Sequence, residues 1–252
     1  MRSLHLMASR FSIVILAEAR ASRADVTTWQ REFPMHSLIL SEGSPIGSGG
    51  ILMLISRTAF QTPGANDIVE LVKGRVLLVK LAIGLCPVTV AGIHLDPSHT
   101  VAQRTRVLKL IEANVPPPTV TPMIIGGDFN TIVDGDARFH PTTAEYNHNN
   151  DPLHATFNQI LNHRLLEIHQ DSYTRVGRLN GVPHVLSRLD RWYMNVDPVF
   201  AQDCRCTAGL YLPLLTNGMS DHAPIFIKIT AMRGAPPSPS EPLRSAMGGW
   251  SP

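Results

Sequence analysis

The apolar residues of this chain fall in short runs, and that spacing limits the fold more than any other feature. Runs at 11–16, 51–56, 68–72, 75–81, 88–93 and 225–229 are rich in Ile, Val and Leu and are bounded by Gly, Pro, Ser, Asp or Asn nearby. Runs of this length and composition are strands, too short for most helices. Weaker strand signals lie at 37–40, 120–125 and 189–194. Lys73-Gly74 reads as a tight hairpin turn, and 43–50 as a glycine- and serine-rich turn leading into the strand at 51–56. Helical periodicity is confined to two stretches. At 98–113, Val101, Arg104, Val107, Leu108, Leu110 and Ile111 form a stripe, with Ser98 as N-cap and Pro116-Pro117-Pro118 as the stop. At 152–166 the stripe is Leu153, Phe157, Ile160, Leu161 and Leu165, and 21–31 is short and either helical or irregular. Strands in both halves with helices between them predict a layered α/β sandwich. Two mainly antiparallel sheets pack face to face, with helices outside.

At 252 residues, 44% of them apolar, the chain can bury one sizeable core. The core domain is expected at 11–232. From Gly234 the composition turns to Pro and Ser, so 233–252 is expected to be a disordered tail. Residues 1–10 read as a leader or a truncated start. Arg2, Arg10, the apolar run at 11–17 and the small residues Ala17, Ala19 and Ala21 loosely imitate a secretion signal, but a short β-branched strand explains the run equally well. No stretch approaches the ~18 apolar residues of a spanning helix. Cys86, Cys204 and Cys206 are odd in number, and the single residue between the last two suits neither a mutual disulfide nor a zinc knuckle. Reduced thiols in an intracellular compartment, the nucleus included, are expected. A net charge of +2 with no Lys/Arg run leans only mildly towards polyanions.

Charged residues are only 17% of the chain, so individual carboxylates are informative. In Ile124-Ile125-Gly126-Gly127-Asp128-Phe129-Asn130 an apolar strand runs into two glycines, then an acid and an amide two positions apart. Residues so spaced at a strand end point the same way, and glycines let backbone approach a ligand. The acid can orient water or metal, and the amide can hold an anionic oxygen. An ordinary Asx turn would look the same. Asp221-His222 stands just before the strand at 225–229, combining a hard-cation ligand with a group that titrates near neutrality. A surface His at a strand start is the plainer account, since the chain has 11 His. Asp190 interrupts an apolar, aromatic strand, where burial requires a partner and a neighbouring imidazole would serve; an edge strand would leave it in solvent. Glu18 closes the first buried run and is a candidate metal carboxylate.

The order of these motifs resembles the endonuclease/exonuclease/phosphatase superfamily. Along roughly 11–230 it runs strand-Glu18, Gly-Gly-Asp128-Phe-Asn130, Ser-Arg-Leu-Asp190-Arg, Ser-Asp221-His222-Ala-Pro-Ile. Within that superfamily the wording is most similar to endonuclease domains of non-LTR retrotransposons. The resemblance implies a four-layered α/β sandwich with the site at one edge of the two sheets. It implies Glu18 and Asp221 as metal carboxylates, with Mg²⁺ as the ion and Mn²⁺ as a substitute. Asp128 would position the attacking water, and Asn130 would contact the scissile phosphate. His222 and Asp190 would form a His–Asp pair. His94, in Gly-Ile-His94-Leu-Asp96-Pro97, would reach the phosphate, with Asp96 a turn residue. The family has another strand before the one bearing Glu, ending in Asn. None of the ten residues before Phe11 is Asn, so that first strand is expected to be missing.

Three functions follow. One is a metal-dependent DNA-nicking endonuclease, a monomer acting on nucleic acid and not on membranes. Trp29, Arg138, Arg175, Arg178 and Arg191 are then candidate backbone contacts. Another is a phosphatase or sphingomyelinase-like phosphodiesterase on a small or lipid substrate. The third is an inactive, truncated remnant that folds without cleaving.

Overall fold

The computed structural model describes residues 2–45, 48–117, 120–133, 138–147, 151–161, 164–196, 206–211 and 220–229. Helix α1 (Arg2–Ala8) leads into β1 (Ile13–Ala17), α2 (Arg23–Glu32), β2 (His36–Ser41) and β3 (Ile51–Ser56). A 3-10 turn at Ala65–Asp67 precedes β4 (Ile68–Val72), β5 (Val76–Ile83), β6 (Cys86–His94), α3 (Val101–Asn114) and β7 (Met123–Asp128). Then come β8 (Arg138–His140), β9 (Glu145–Asn147), α4 (His154–Leu161), β10 (Leu166–Glu167), β11 (Arg175–Leu179) and β12 (Val182–Ser187). The last strands are β13 (Asp190–Met194), β14 (Thr207–Leu210) and β15 (Ile225–Lys228).

Side-chain alternation builds the layers. A six-stranded sheet runs β10-β13-β7-β6-β5-β4, antiparallel throughout except for the parallel pair β6–β7. One face of it, through Leu77, Val79, Leu81, Val88 and Val90, packs on Ile39, Ile51, Met53 and Ile55 of the three-stranded sheet β1-β3-β2. The pair β14–β15 covers the same face further along, where Ala208 and Ile227 meet Ile124, Trp192 and Met194. The opposite face is covered by α3 and α4 through Leu108, Ile111, Phe157 and Leu161. Residues Leu52 and Leu54, alternating with the inward set of β3, point outwards to α1 and α2. The result is the expected four-layered sandwich: helices, sheet, sheet, helices.

Several expectations change in detail. Residues 2–8 form α1, whose Leu4 and Ala8 are buried against the sheet. The run resembling a secretion signal forms β1, paired with β3 from Ile13↔Ile55 to Ala17↔Ile51. Among the described residues no strand pairs with the other edge of β1. The N-cap of α3 is Thr100, in a reciprocal capping box with Gln103, and not Ser98. Helix α4 is described over His154–Leu161, and Leu165 beyond it is still buried. A satellite sheet, β11-β12-β8-β9, rises beside the sandwich and had no clear strand signal. Both faces mix polar and apolar residues at Arg175–Leu179, with Leu179 on one and Val176 on the other, so periodicity offers nothing to read. The tail at 233–252 and Cys204 lie outside the described residues; Cys86 is a free thiol, and Cys206 Sγ lies 3.8 Å from Met194 Sδ. No helix among the described residues is long and apolar enough to cross a membrane.

Candidate active site

Three of the singled-out side chains are brought together by ladder register alone. In the parallel pair β6–β7, His94 lies opposite Asp128; in the antiparallel pair β13–β7, Asp190 lies opposite Asp128. Register partners project to the same side of a sheet. That side is the interior face of the sandwich, because Val90, Ile124 and Trp192 alternate in step with these three residues and pack between the sheets. The residues thus stand in a row where two strands end and a third begins, at the rim between the two sheets. Glycines let neighbouring groups close in beneath the row. A Cβ on Gly126 would lie 2.2 Å from the Trp192 ring, and one on Gly127, whose φ is +146°, would lie 2.0 Å from the Ile93 carbonyl oxygen. The apolar-strand-into-Gly-Gly pattern therefore marks close approach of neighbouring strands.

His222 arrives from the other layer. It forms an isolated bridge with Arg175 at the start of β11, flanked by Val176 N–H donating to the Asp221 carbonyl (2.8 Å) and Ala223 N–H to that of Thr174 (2.6 Å). Its Nδ1 is 2.8 Å from Asp190 Oδ2, and its Nε2 is 3.9 Å from Asp128 Oδ2. Asp190 is itself fixed: the Thr174 hydroxyl accepts the N–H groups of Leu189 (2.9 Å) and Asp190 (3.0 Å). Thr174 was missed from sequence, since a buried hydroxyl that turns a chain has no local signature. Asp128 does form an Asx turn with Asn130 as the donor. The Asn130 backbone N–H donates to Asp128 Oδ1 (2.9 Å), and Asn130 Nδ2 donates to Oδ2 (2.7 Å), with the Asn130 φ at +45°. The amide thus uses one of its two side-chain hydrogens to orient the acid.

Glu18 completes the rim from the opposite side. It follows β1 at φ +50°, and its Oε1 is 3.4 Å from His94 Nε2. Arg20 Nη2 donates to its Oε2 at 3.2 Å. Asp221 is placed differently: Arg175 Nε donates to its Oδ2 at 2.9 Å, so its carboxylate faces Arg175. The group whose ligand atoms lie within 4.8 Å of one another is Asp128, Asp190 and His222. Of the candidate nucleic-acid contacts, Arg191 is fully buried and donates to the carbonyls of Thr131 and Arg188 and to Glu167, so it cannot touch a ligand. Trp29 packs partly buried in the outer helical layer. Arg138 and Arg178 lie on the satellite sheet.

Electrostatics separate these groups. Burial disfavours charge on His222, but the hydrogen bond and charge of Asp190, with Asp128 and Asp221 beyond, outweigh it and raise the imidazole to about 9. Burial, then the Asp190 charge, pushes Asp128 up to about 7, against the pull of His222 and the Asn130 N–H. Burial drives His94 down to about 4; Arg75 and His222 add to the fall, while Glu18 and Asp96 oppose it. His94 is therefore neutral, 1% exposed, and neither ring nitrogen has a hydrogen-bond partner. Burial works to raise Asp221, but the Arg175 hydrogen bond, His222 and the Arg175 charge hold it below the usual range. Carboxylates crowded at one rim, one of them driven towards protonation, together with an unpartnered buried imidazole, fit a divalent cation.

A four-layered sandwich with acids and a paired imidazole at the rim between its sheets is the architecture of a class of hydrolases. This chain belongs to one family of them: the Endonuclease/Exonuclease/phosphatase family model matches residues 2–222. Its members are hydrolytic nucleases or phosphatases, generally dependent on a divalent metal. Solved structures agree on the fold. The endonuclease domain of TRAS1, a telomere-specific non-LTR retrotransposon, is 14% identical with a TM-score of 0.64, covering 90% of each chain. An AP endonuclease from Archaeoglobus fulgidus is 15% identical (TM-score 0.66), covering 90% of this chain and 91% of its own. The 3′ phosphatase NExo from Neisseria, bound to a product DNA hairpin, is 16% identical (TM-score 0.62), covering 90% and 93%. No curated protein matches the chain.

Proposed function

We propose that this chain is a divalent-metal-dependent phosphodiesterase that nicks DNA in the manner of a retrotransposon endonuclease. The observation that carries the reading is the row Asp190–His222–Asp128, with Nδ1 of His222 held at 2.8 Å by one acid and its Nε2 directed towards the other at 3.9 Å. That second distance is too long for a hydrogen bond. It leaves Nε2–H free to donate to a phosphoryl oxygen seated between the two side chains, while Asp190 keeps the imidazole oriented and charged. Asp128, held near neutrality by its surroundings, accepts a proton from the attacking water. Asn130 fixes the Asp128 carboxylate and retains a side-chain hydrogen for the phosphate.

Glu18 would hold the metal, Mg²⁺ by expectation and Mn²⁺ as a substitute; Mg²⁺ commonly takes only one or two protein carboxylates and keeps several waters. Bound there, it would neutralise the phosphodiester and stabilise the leaving oxygen. A protonated His222 has no lone pair to ligate, so we assign it to the Asp190 pair and not to the metal. DNA is supported as substrate by two of the similar structures, one a retrotransposon endonuclease and one bound to a DNA hairpin.

The test is conversion of supercoiled plasmid to nicked circle in Mg²⁺, run beside phosphoinositide and sphingomyelin substrates. Nicking abolished by EDTA and restored by Mg²⁺ is expected. Lipid or inositol-phosphate hydrolysis without nicking would replace the nuclease reading with the small-substrate one, and nicking indifferent to EDTA would refute the metal.

A further inference from the structure

Arg75 has no part in the chemistry above, yet it lies behind half of the site. It follows the Gly74 turn, and its side chain is 8% exposed. Its backbone carbonyl accepts the N–H of His94 at 2.9 Å. Its guanidinium donates from Nη2 to Asp96 Oδ2 at 2.5 Å and from Nη1 to the Gly74 carbonyl at 3.1 Å. Asp96 is not merely a turn residue. Its other oxygen accepts the N–H (2.9 Å) and hydroxyl (2.6 Å) of Ser98, so it is an immobile anchor two residues after His94.

The guanidinium also supports the glycine-rich loop. A Cβ on Gly49, at φ +66°, would lie 1.8 Å from Nη1, so the loop backbone lies directly against the charge. Gly50 N–H donates to the same Gly74 carbonyl at 3.3 Å. The carbonyls of Gly50 and Gly49 then accept the N–H groups of Ala19 (3.0 Å) and Arg20 (2.8 Å). These two bonds impose the left-handed turn in which Glu18 (φ +50°) and Arg20 (φ +48°) sit, a conformation such residues adopt only when neighbours over-determine it. One side chain thus links the strand end bearing His94 to the turn bearing Glu18, without touching either functional group.

We propose that Arg75 is a positioning residue for the Glu18–His94 side of the site, acting through Asp96 and the loop at 48–50 to set the Glu18 carboxylate where a divalent cation can use it. This rests on Glu18 as a metal carboxylate. Only a planar fork serves both ends, because a lysine ammonium cannot meet Asp96 and Gly74 while filling the space against Gly49.

The experiment measures Mn²⁺ binding to the full chain by electron paramagnetic resonance, with no substrate present, beside plasmid nicking. Variants are Arg75→Lys, Arg75→Met, Gly49→Ala, Asp96→Asn and Glu18→Gln. Outer partners of metal sites typically contribute ~10–100-fold in affinity, so Arg75→Met and Gly49→Ala should raise the Mn²⁺ dissociation constant at least about tenfold, approaching Glu18→Gln, with Arg75→Lys recovering part of the loss. The His222 imidazole resonances, read by NMR, should not move, whereas a general loosening of the fold would shift them too. If Arg75→Met does not fold, Asp96→Asn decides, since it keeps the anchor's shape. Unchanged Mn²⁺ affinity in the folded variants, or wild-type affinity indifferent to Glu18→Gln, overturns the proposal. Wild-type Mn²⁺ binding that weakens in these variants without any nicking would instead leave it standing and remove the nuclease reading.

Discussion

The two flanks of the rim are built in different ways. The flank carrying Asp128, Asp190 and His222 is assembled by main-chain pairing: one ladder register and one bridge place every group, and side-chain hydrogen bonds trim the orientation. On the flank carrying Glu18 and His94, ladder register places only His94; Glu18 depends on a left-handed turn, a glycine loop and one guanidinium, and the His94 ring nitrogens have no hydrogen-bond partner. The first is complete as it stands and should do proton chemistry. The second is incomplete without a ligand, as a cation site should be.

The largest expected effect separates these roles. Asp128→Ala and His222→Ala should each lower kcat for nicking by about 10³-fold or more, since each removes a group that acts on a proton in the reaction. Raising the metal concentration should rescue neither. Glu18→Gln should lose less at saturating Mg²⁺ and should be partly rescued by more of it. Equal, metal-insensitive losses on both flanks would erase the distinction. Near-normal nicking by either alanine variant would sink the site assignment.

Stability against pH offers a smaller but independent test on metal-free protein. His222 is raised from 6.5 to about 9, so its contribution is complete below 6.5 and is lost as pH rises through 9. Asp128, raised from 3.8 to about 7, has the same sign: its contribution is complete below 3.8 and gone above 7. His94, lowered to about 4, runs the other way, contributing fully above 6.5 and losing it as pH falls through 4. The native state therefore holds more protons than the unfolded chain between pH 6.5 and 9, and Tm should fall across that window by roughly 5–10 °C. Asp190→Asn should remove most of that fall, because it removes the hydrogen-bonded charge that holds the His222 proton. A level wild-type Tm from 6.5 to 9 would mean that the pair does not hold that proton.

The same contrast explains what could be read from sequence. The well-assembled flank was legible because its residues sit on or beside apolar strands: the motifs around Asp128, Asp190 and Asp221-His222 each abut a run whose period shows. Glu18 was legible only as the end of such a run. What fixes it was not, since a φ of +50° on a Glu and a guanidinium laid against Gly49 depend on contacts between residues far apart in the chain. Asp221 shows the limit from another side. The resemblance implied a metal carboxylate, while the structure directs it to Arg175, which sequence had offered as a nucleic-acid contact. Likewise Ser98 is a candidate cap by residue type, but Asp96 engages it, and Thr100 caps the helix. Propensity ranks candidates for a role, and tertiary contacts assign it.

Arg175→Ala should have the smallest effect, and it tests the division most finely. The Arg175–Asp221 pair is 40% and 49% exposed, and such pairs contribute at most about 1 kcal/mol. What holds His222 from this side is main chain: the bridge to residue 175 and the Val176 N–H on the Asp221 carbonyl, which alanine preserves. Nicking at saturating Mg²⁺ should therefore change less than about fivefold, the equivalent of that 1 kcal/mol. Asp221, released from its partner, should let the metal bind no more weakly than before. A loss on the scale of His222→Ala would show that a side-chain pair, and not backbone register, positions the imidazole. The two flanks would then be alike in resting on side chains.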